Sequence, residues 1–599
     1  MSKCSFDPEA EAVILLDKAF TYYDDSYQMI TERRVRIKIL SEKALERSNI
    51  VIPFYHKDGF EFIDRIEAYT FNPGDAQSTS KVDKKSIYTE KQNNYYSLIK
   101  FAMPAVKTGS IIEYHYRSTM KHYGGLEFWE FQSDLPTIKS SYLLHIVPRA
   151  EFTYSVQKKA DLDVNIKPGE GSIYFEMNNV PALRFEPFMD AKRDYVQKVV
   201  FQLSGYVNSS GSKMEVNTTW KKAAFDLLTD KQFGLQLDKD LKIDEVKLLI
   251  IPENTEQGKV KAIYDFVKKN IAWTGYDSKY APDGIKAVWE RKKGNSAEMN
   301  LLLVNLLNNA GIEAYPVLVA ERDFGKIDTT YPFLDKFNKA VAFAVADGKQ
   351  FLLDASQENC PVGLTPYSIL NTTGFLVDKK IFNLINIKPG NKAYKNTITV
   401  TGSIDAKGLV TGEADVKSYD YARQERLTSV KKNRARFVSE NFEKPYEGMS
   451  IDSFLVTQPE KDSLPFEQIV RYKQQLNESG GLVFFNTNLF TGFEKSPFIS
   501  SVRFTNVNFG FPYNISLQET IKLPAGTKID LPEDKLLAFD NNGFSASKHV
   551  EFEGGELKVL IRFVQNTTLI YAMDYKRLKE FYKQIIDMLN EPVVLKMPG

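Results

Sequence analysis

The sequence predicts a multidomain α+β protein in which two β-rich regions flank a mixed core. Residues 33–40 alternate charged and apolar side chains, as a half-buried antiparallel strand does, and similar short segments recur up to about residue 203. Residues 301–307 are apolar on nearly every face, which is typical of a helix in the middle of a domain. Residues 575–589 show the amphipathic spacing of a closing helix.

These changes of pattern along the 599 residues predict three domains. Residues 1–235 contain many short strands separated by turn residues, which indicates a β-sandwich-like domain. Residues 236–388 combine helices with a few strands and form the α+β core. Residues 389–599 return to β structure and end in the predicted helix.

Composition argues against several classes of function. The net charge of +1 gives no overall field for nucleic acid, and no apolar run approaches the roughly 20 residues of a transmembrane segment. The only cysteines, Cys4 and Cys360, exclude a disulfide framework and a cysteine-rich zinc site. No histidine lies between residues 235 and 385, and His115 with His122 lacks a third ligand. We therefore expect no metal and no cofactor.

The most informative stretch lies at the start of the apolar helix. Asn295 or Ser296 is suited to cap the first turn, and Gly311 suits the position just past the last turn. A buried strand is expected at residues 312–320.

A β-hairpin is predicted directly after that strand. Its strands cover residues 337–345 and 350–355, and Asp347 with Gly348 is a strong turn signal between them. Lys339 and Asp354 lie on the two strands and meet if their side chains share a face.

A nucleophile-sized residue that follows Gly294 and Asn295 at a helix start resembles the transglutaminase-like core. The outer regions, through residues 6–13, 109–114 and 523–526 and the final helix, are similar to a family of bacterial three-domain transglutaminase-like proteins. The resemblance implies a papain/transglutaminase-like core between β domains of unknown function. It also implies a periplasmic or cell-envelope location, although the N-terminus does not have the pattern of a signal peptide.

The resemblance implies a catalytic triad of cysteine at position 296, histidine after Asn338 and aspartate at position 354. This chain keeps Asp354 but has Ser296 and Lys339 at the other two positions. A serine hydroxyl is far less acidic than a thiol, and lysine is a general base only when its pKa is lowered. A neighbouring carboxylate has the opposite effect. The three residues therefore predict a poor catalyst and a good ion pair.

Trp273, Asn295 and Asn338 are candidates to line a cleft beside these positions. Packing in the core is an equally good interpretation of Trp273. Cys360 follows Asp354 by six residues without a local histidine, so we expect an ordinary buried or loop cysteine and not a substitute nucleophile.

The leading hypothesis is a non-catalytic cell-envelope binding or scaffold protein whose core cleft holds a peptide or a glycan. A variant of it places binding in the two β domains alone. The alternative is a Ser-Lys peptidase or amidase, or a transglutaminase-like enzyme, that acts on peptides. A carbohydrate-binding sandwich is a third hypothesis. The expected partner is a peptide, a protein or a glycan.

Overall fold

The computed structural model describes residues 3–74, 79–93, 95–122, 126, 128–147, 149–208, 210–215, 219–241, 243–327, 329, 332–378, 382–539 and 543–598. The chain forms two compact units. The first unit consists of Met1–Phe185 and Lys192–Thr218, and the second consists of Glu186–Ala191 and Thr219–Gly599. The predicted domain division at residues 235 and 388 stays a prediction.

One large sheet dominates the first unit. In spatial order its eight strands are Asn165–Gly169, Ser172–Val180, Thr137–His145, Ala12–Tyr23, Met29–Ile39, Ile111–Met120, Glu61–Phe71 and Thr79–Lys81. The third and fourth strands in this order are parallel, and the other neighbours are antiparallel. The predicted alternating strand at residues 33–40 is confirmed.

Two smaller sheets pack against this large sheet, which gives the unit its sandwich-like character. One consists of Asn49–Tyr55, Tyr96–Ala102 and Tyr88–Lys91. The other consists of Ala150–Gln157, Lys198–Val207, Lys213–Glu215 and Phe128–Glu130. Two hydrophobic clusters fill the space between the layers, one around Ile37 and Phe101 and one around Phe175 and Phe201.

The core of the second unit is built around one buried helix. The core helices are Trp220–Thr229, Gly234–Leu237, Asp244–Ile250, Glu256–Asn270, Gly284–Arg291 and Ser296–Asn309. The last of these, called here the central helix, is buried from its first residue through Leu307. Asn295 caps its first turn and Gly311 has a φ of 79°, so the predicted start and end of this helix are confirmed.

The central helix packs against an antiparallel five-stranded sheet. In spatial order its strands are Lys349–Leu353, Lys339–Ala346, Glu313–Val319, Thr372–Val377 and Phe382–Ile387. Asp347 and Gly348, with φ values of 48° and 71°, form the two-residue turn between the first two strands, which confirms the predicted hairpin. A short parallel pair, Ala272–Trp273 and Lys293–Gly294, lies at the start of the central helix.

The C-terminal part of the second unit again has an eight-stranded sheet. Its spatial order is Met449–Thr457, Phe466–Gln475, Leu409–Tyr419, Tyr394–Ile404, Tyr513–Lys522, Glu556–Gln565, Phe544–Glu553 and Lys535–Phe539. A four-stranded sheet consists of Asn477–Ser479, Leu482–Phe485, Val593–Lys596 and Lys528–Asp530, and a short pair consists of Val507–Asn508 and Leu569–Ile570. As in the first unit, a single parallel pair lies in the middle of the large sheet.

Helices cover this C-terminal sheet. The predicted final helix is confirmed as Tyr575–Asn590, with its apolar face buried. The single charged helix predicted at residues 420–442 is wrong, since the chain forms Asp420–Lys432, Arg434–Val438 and a π-helical turn Ser439–Glu443. Asn433 causes the break because its backbone is extended and its side chain caps the next helix, accepting a hydrogen bond from the Arg436 amide at 3.0 Å. In the part of the chain that the structure describes, no helix combines the length and apolarity needed to cross a bilayer.

One carboxyl group in the C-terminal sheet lies in an unfavourable position. Glu519 is 0% exposed between Val400 and Val559 on the neighbouring strands, and its two oxygens have no hydrogen-bond partner among the residues that the structure describes. Burial raises its pKa well above the usual range, although the Lys548 ammonium attracts the ionised form. Lys548 itself donates to the carbonyl oxygens of Leu589 and Glu591, at 3.1 and 2.6 Å, at the end of the final helix.

We therefore predict that ionisation of Glu519 lowers the free energy of unfolding as pH rises. The folded state holds the Glu519 proton at pH values where the unfolded chain, with a carboxyl pKa near 4.3, has lost it, so ionisation penalises folding by up to about 1.4 kcal/mol per pH unit. Glu519→Gln should reduce the decline of unfolding free energy between about pH 5 and about pH 8, measured by urea denaturation. Glu533→Gln, at an exposed carboxylate of the same domain, should leave the decline unchanged. An equal decline in wild type and Glu519→Gln would contradict the prediction.

Candidate functional site

Ser296 begins the central helix and is closed to solvent. Its side chain is 0% exposed. The hydroxyl accepts a hydrogen bond from the Ser278 amide at 2.9 Å and donates to the Ser278 carbonyl oxygen at 3.3 Å. The same carbonyl oxygen accepts from the Ala340 amide at 3.1 Å, so the backbone at Ser278 lies between the helix start and the hairpin. Both hydrogen-bonding functions of the hydroxyl are therefore used within the fold.

Asn295 serves the helix start and does not line a cleft. Its Oδ1 accepts from the Glu298 amide at 2.8 Å, while the Asn295 amide donates to Glu298 Oε2 at 2.9 Å, which is a reciprocal capping box. Its Nδ2 donates to the Tyr280 carbonyl oxygen at 3.1 Å. Because the residue is 0% exposed and these polar groups have partners, the expectation that Asn295 faces a ligand is corrected to a capping role.

Lys339, the first residue of its strand, is 0% exposed and is surrounded by carboxylates. Its Nζ lies 2.9 Å from Asp277, 3.0 Å from Glu321 and 2.8 Å from Asp354. Burial alone lowers the pKa of a lysine, but attraction to the three carboxylates outweighs it and raises the pKa of Lys339 above its ordinary value. The side chain is therefore a fixed cation.

Asp354 lies directly after the return strand of the hairpin and is fully buried. Its Oδ1 accepts hydrogen bonds from Asn300 Nδ2 at 2.9 Å and from the Ser356 amide and hydroxyl at 3.0 and 2.6 Å. Burial raises the pKa of Asp354. Attraction to Lys339 and the hydrogen bonds from these donors lower the pKa by more than burial raises it, so the net shift is downward. Lys339 and Asp354 thus contact each other, as predicted, and they form an ion pair.

Asn338 does not contact Lys339 in a hydrogen bond of its own but is hydrogen-bonded to Glu321, which does. Its Oδ1 accepts from the Glu321 amide and its Nδ2 donates to Glu321 Oε2, both at 2.9 Å. Burial raises the pKa of the Glu321 carboxyl, Lys339 opposes this shift, and Asp277 adds to it. Asn338 therefore positions a carboxylate against Lys339.

Sequence reasoning did not find Asp277 or Glu321. The strand register could have pointed to Glu321. Val319, the last residue of its strand, pairs with Lys339, and Glu321 follows two residues later. Asp277 lies in an irregular segment far along the chain from Lys339, so only the tertiary fold brings it to the site.

Trp273 is the exposed member of the group at 39%, and the centroid of its ring lies 6.0 Å from Lys339 Nζ. Its indole N–H donates to the Tyr276 carbonyl oxygen at 3.1 Å. Trp273 therefore covers one side of the ammonium at the outer limit of a cation–π contact.

Cys360 has the properties of a structural cysteine. It is 1% exposed, and its Sγ donates to the Leu364 carbonyl oxygen at 3.2 Å. Burial raises the pKa of its thiol to about 12, which disfavours the reactive thiolate. Across the described parts of the chain, no set of three or more histidine, cysteine or carboxylate side chains is arranged to hold a metal ion.

The carboxylates around Lys339 give a prediction for stability. Lys339→Met leaves Asp277, Glu321 and Asp354 without their counter-ion, so it should destabilise the core by about 3–5 kcal/mol at neutral pH. The loss should shrink at about pH 5, because protonation of the carboxyls relieves their repulsion and the Glu321 pKa is already raised. Amide hydrogen exchange of the core hairpin measures the change.

Lys349→Met is the matched control, since Lys349 is an exposed lysine of the same hairpin. Its exchange rates should stay close to wild type at both pH values. Equal protection of the hairpin in Lys339→Met and Lys349→Met would contradict the structural role of the Lys339 cluster.

Three family models match the chain in order. They are the Domain of Unknown Function DUF3857 at residues 25–184, the Transglutaminase-like superfamily at residues 249–341 and the Domain of Unknown Function DUF3858 at residues 481–595. A comparison with curated proteins finds no match.

Among solved structures, a candidate protease from Parabacteroides distasonis is similar over 98% of this chain and 99% of its own, with a TM-score of 0.62 and 13% identity. At this identity the likeness shows a shared fold. A candidate cysteine protease from Cytophaga hutchinsonii matches 54% of this chain and 88% of its own at 10% identity, but its TM-score of 0.17 carries no structural argument. In N-to-C order the chain has a DUF3857 domain, a transglutaminase-like core and a DUF3858 domain, and it is therefore a three-domain transglutaminase-like protein.

Proposed function

We propose that this protein is a non-catalytic transglutaminase-like binding or scaffold module of the cell envelope. The observation that carries the proposal is the state of Lys339, a buried ammonium held by three carboxylates at the position of the family's catalytic base. The envelope location rests on the resemblance to exported transglutaminase-like proteins.

A Ser-Lys mechanism needs a neutral lysine that accepts the serine proton. Lys339 is charged, and the polar partners of its ammonium are carboxylates. The Ser296 hydroxyl is hydrogen-bonded to the Ser278 backbone, and no hydrogen bond joins it to Lys339. Both groups are 0% exposed, so a substrate would reach them only if part of the surrounding fold moved.

The alternative, a peptidase or amidase, draws support from the likeness to a candidate protease of the same fold. Fold does not decide activity, and here the site residues argue against it. We therefore propose that the core, residues 236–388, acts as a rigid support and that the outer domains, residues 1–235 and 389–599, recognise a peptide, protein or glycan.

A groove on the large sheet of the first unit supports this assignment. Its volume is about 1020 Å³, and its lining combines charged and aromatic side chains, among them Lys18, Glu32, Arg34, Tyr69, Arg117 and Tyr174. Tyrosine rings and paired charges offer stacking and hydrogen-bonding groups of both polarities, which suits an extended polar ligand such as a peptide or a glycan.

Labelling with a fluorophosphonate probe tests the absence of catalysis. Because the Ser296 hydroxyl is buried and lacks a general base, we expect no Ser296-dependent labelling of the folded protein at neutral pH, while an active serine hydrolase in the same reaction is labelled. Ser278→Ala is the matched control, since it removes a neighbouring hydroxyl and keeps the backbone groups that bind Ser296. Labelling that is present in wild type and Ser278→Ala but lost in Ser296→Ala would overturn the proposal.

A further inference from the structure

The C-terminal part of the second unit contains a cavity of about 360 Å³. Its walls include residues of the large sheet, of the helix Asp420–Lys432 and of the final helix. Aromatic rings form part of the lining, among them Tyr394, Phe493, Phe509, Tyr513, Phe563 and Tyr582. None of the residues that line this cavity belongs to the site around Lys339.

Glu425 lines this cavity from the helix Asp420–Lys432. Its side chain is exposed to solvent, although the protein packed around its carboxyl raises the pKa of that group through burial. A carboxyl at the open side of a cavity, in contact with both protein and solvent, has both properties. Among the described residues, no hydrogen bond or salt bridge joins the Glu425 carboxylate to a partner, although Arg426 attracts its ionised form.

A second acceptor in the cavity wall is also unsatisfied. Asn396 is 4% exposed, and its buried Oδ1 has no hydrogen-bond partner within the described parts of the chain. Buried polar atoms are nearly always hydrogen-bonded in native proteins, so an orphan acceptor in the wall of a cavity points to a donor that comes from outside the chain.

Three other charged groups around the cavity, Arg426, Glu440 and Glu494, are already engaged. Arg426 donates to Gln468 Oε1 at 2.8 Å and to Asn441 Oδ1 at 3.4 Å. Glu440 pairs with Arg436 at 2.8 Å, and Glu494 accepts from the Tyr446 hydroxyl at 2.5 Å. Lys495 lies at the exposed rim, where solvent and salt screen its charge. The buried atom of the wall that lacks a partner, Asn396 Oδ1, is thus an acceptor, and a ligand that satisfies it is a donor.

From these observations we infer that the cavity binds a primary alkylammonium group. Glu425 supplies the counter-ion, Asn396 Oδ1 accepts one N–H, and the aromatic rings contact the methylene chain and the cation. Such a group belongs either to a lysine side chain of a peptide or to a free aliphatic amine. The site lies outside the core and does not depend on the state of Ser296.

Calorimetric titration of the full chain with n-pentylammonium and with 1-pentanol tests the charge requirement. The two probes have similar size and apolar area, so the alcohol should bind about tenfold more weakly or worse if the carboxylate recognises the cation. Equal affinity for the two probes would overturn the inference, as would the absence of saturable n-pentylammonium binding up to about 10 mM.

Substitution of Glu425 tests the assignment of the counter-ion. Glu425→Gln keeps the shape of the side chain and should weaken n-pentylammonium binding about tenfold. Glu443→Gln removes the same charge at a position that does not line the cavity and should change the affinity by less than about twofold. Equal affinities of Glu425→Gln and wild type would overturn the assignment.

If Glu425→Gln fails to fold, the comparison of the two probes on the wild-type protein still decides the question. Nα-acetyl-lysine N-methylamide distinguishes the sources of the ammonium group. Affinity equal to that of n-pentylammonium supports a peptide lysine, and binding of n-pentylammonium alone supports a free amine.

Discussion

The transglutaminase-like core depends on a single buried cation. Transfer of an ammonium group into a protein interior costs several kcal/mol unless opposite charges and hydrogen bonds compensate it. Here Lys339 has three carboxylates within 3.0 Å, and they come from three separate segments of the chain. Asn300 of the central helix binds both Asp354 and the Ala340 carbonyl oxygen, so the charged cluster also fixes the helix against the hairpin. One interaction network thus determines the packing of the core and the protonation state of its lysine.

The same network supports our proposal that Ser296 and Lys339, at the expected triad positions, do not form a catalyst. Asp354, which would orient a histidine in the family arrangement, here stabilises the charged form of Lys339. Ser296 stands where the resemblance implies a nucleophile, and the Ser278 backbone satisfies its hydroxyl. Ser296, Lys339 and Asp354 therefore contribute to the packing of the core, and in our proposal recognition takes place in the outer domains.

The sequence was informative where short-range signals determine the structure. The cap at Asn295, the glycine after the central helix and the turn at Asp347 each follow from local backbone requirements. The pairing of Lys339 with Asp354 followed from strand alternation across a tight hairpin.

What escaped sequence reasoning is non-local. Asp277 and Glu321 reach Lys339 only through the tertiary fold, and the break at Asn433 depends on a side-chain cap that competes with helix continuation. No repeat is visible in the sequence, yet both large outer sheets place one parallel pair among antiparallel neighbours. Strand order reflects long-range pairing, which residue patterns specify weakly.

Titration of Lys339 itself tests the central claim most directly. Carbon-13 labelling of lysine side chains, with the Lys339 signal assigned by its loss in Lys339→Arg, reports the protonation state of this one ammonium as pH rises. The account predicts that Lys339 stays protonated beyond the ordinary lysine pKa of about 10.4, for as long as the fold persists. A midpoint between about pH 6 and about pH 9, the range of a working general base, would contradict it.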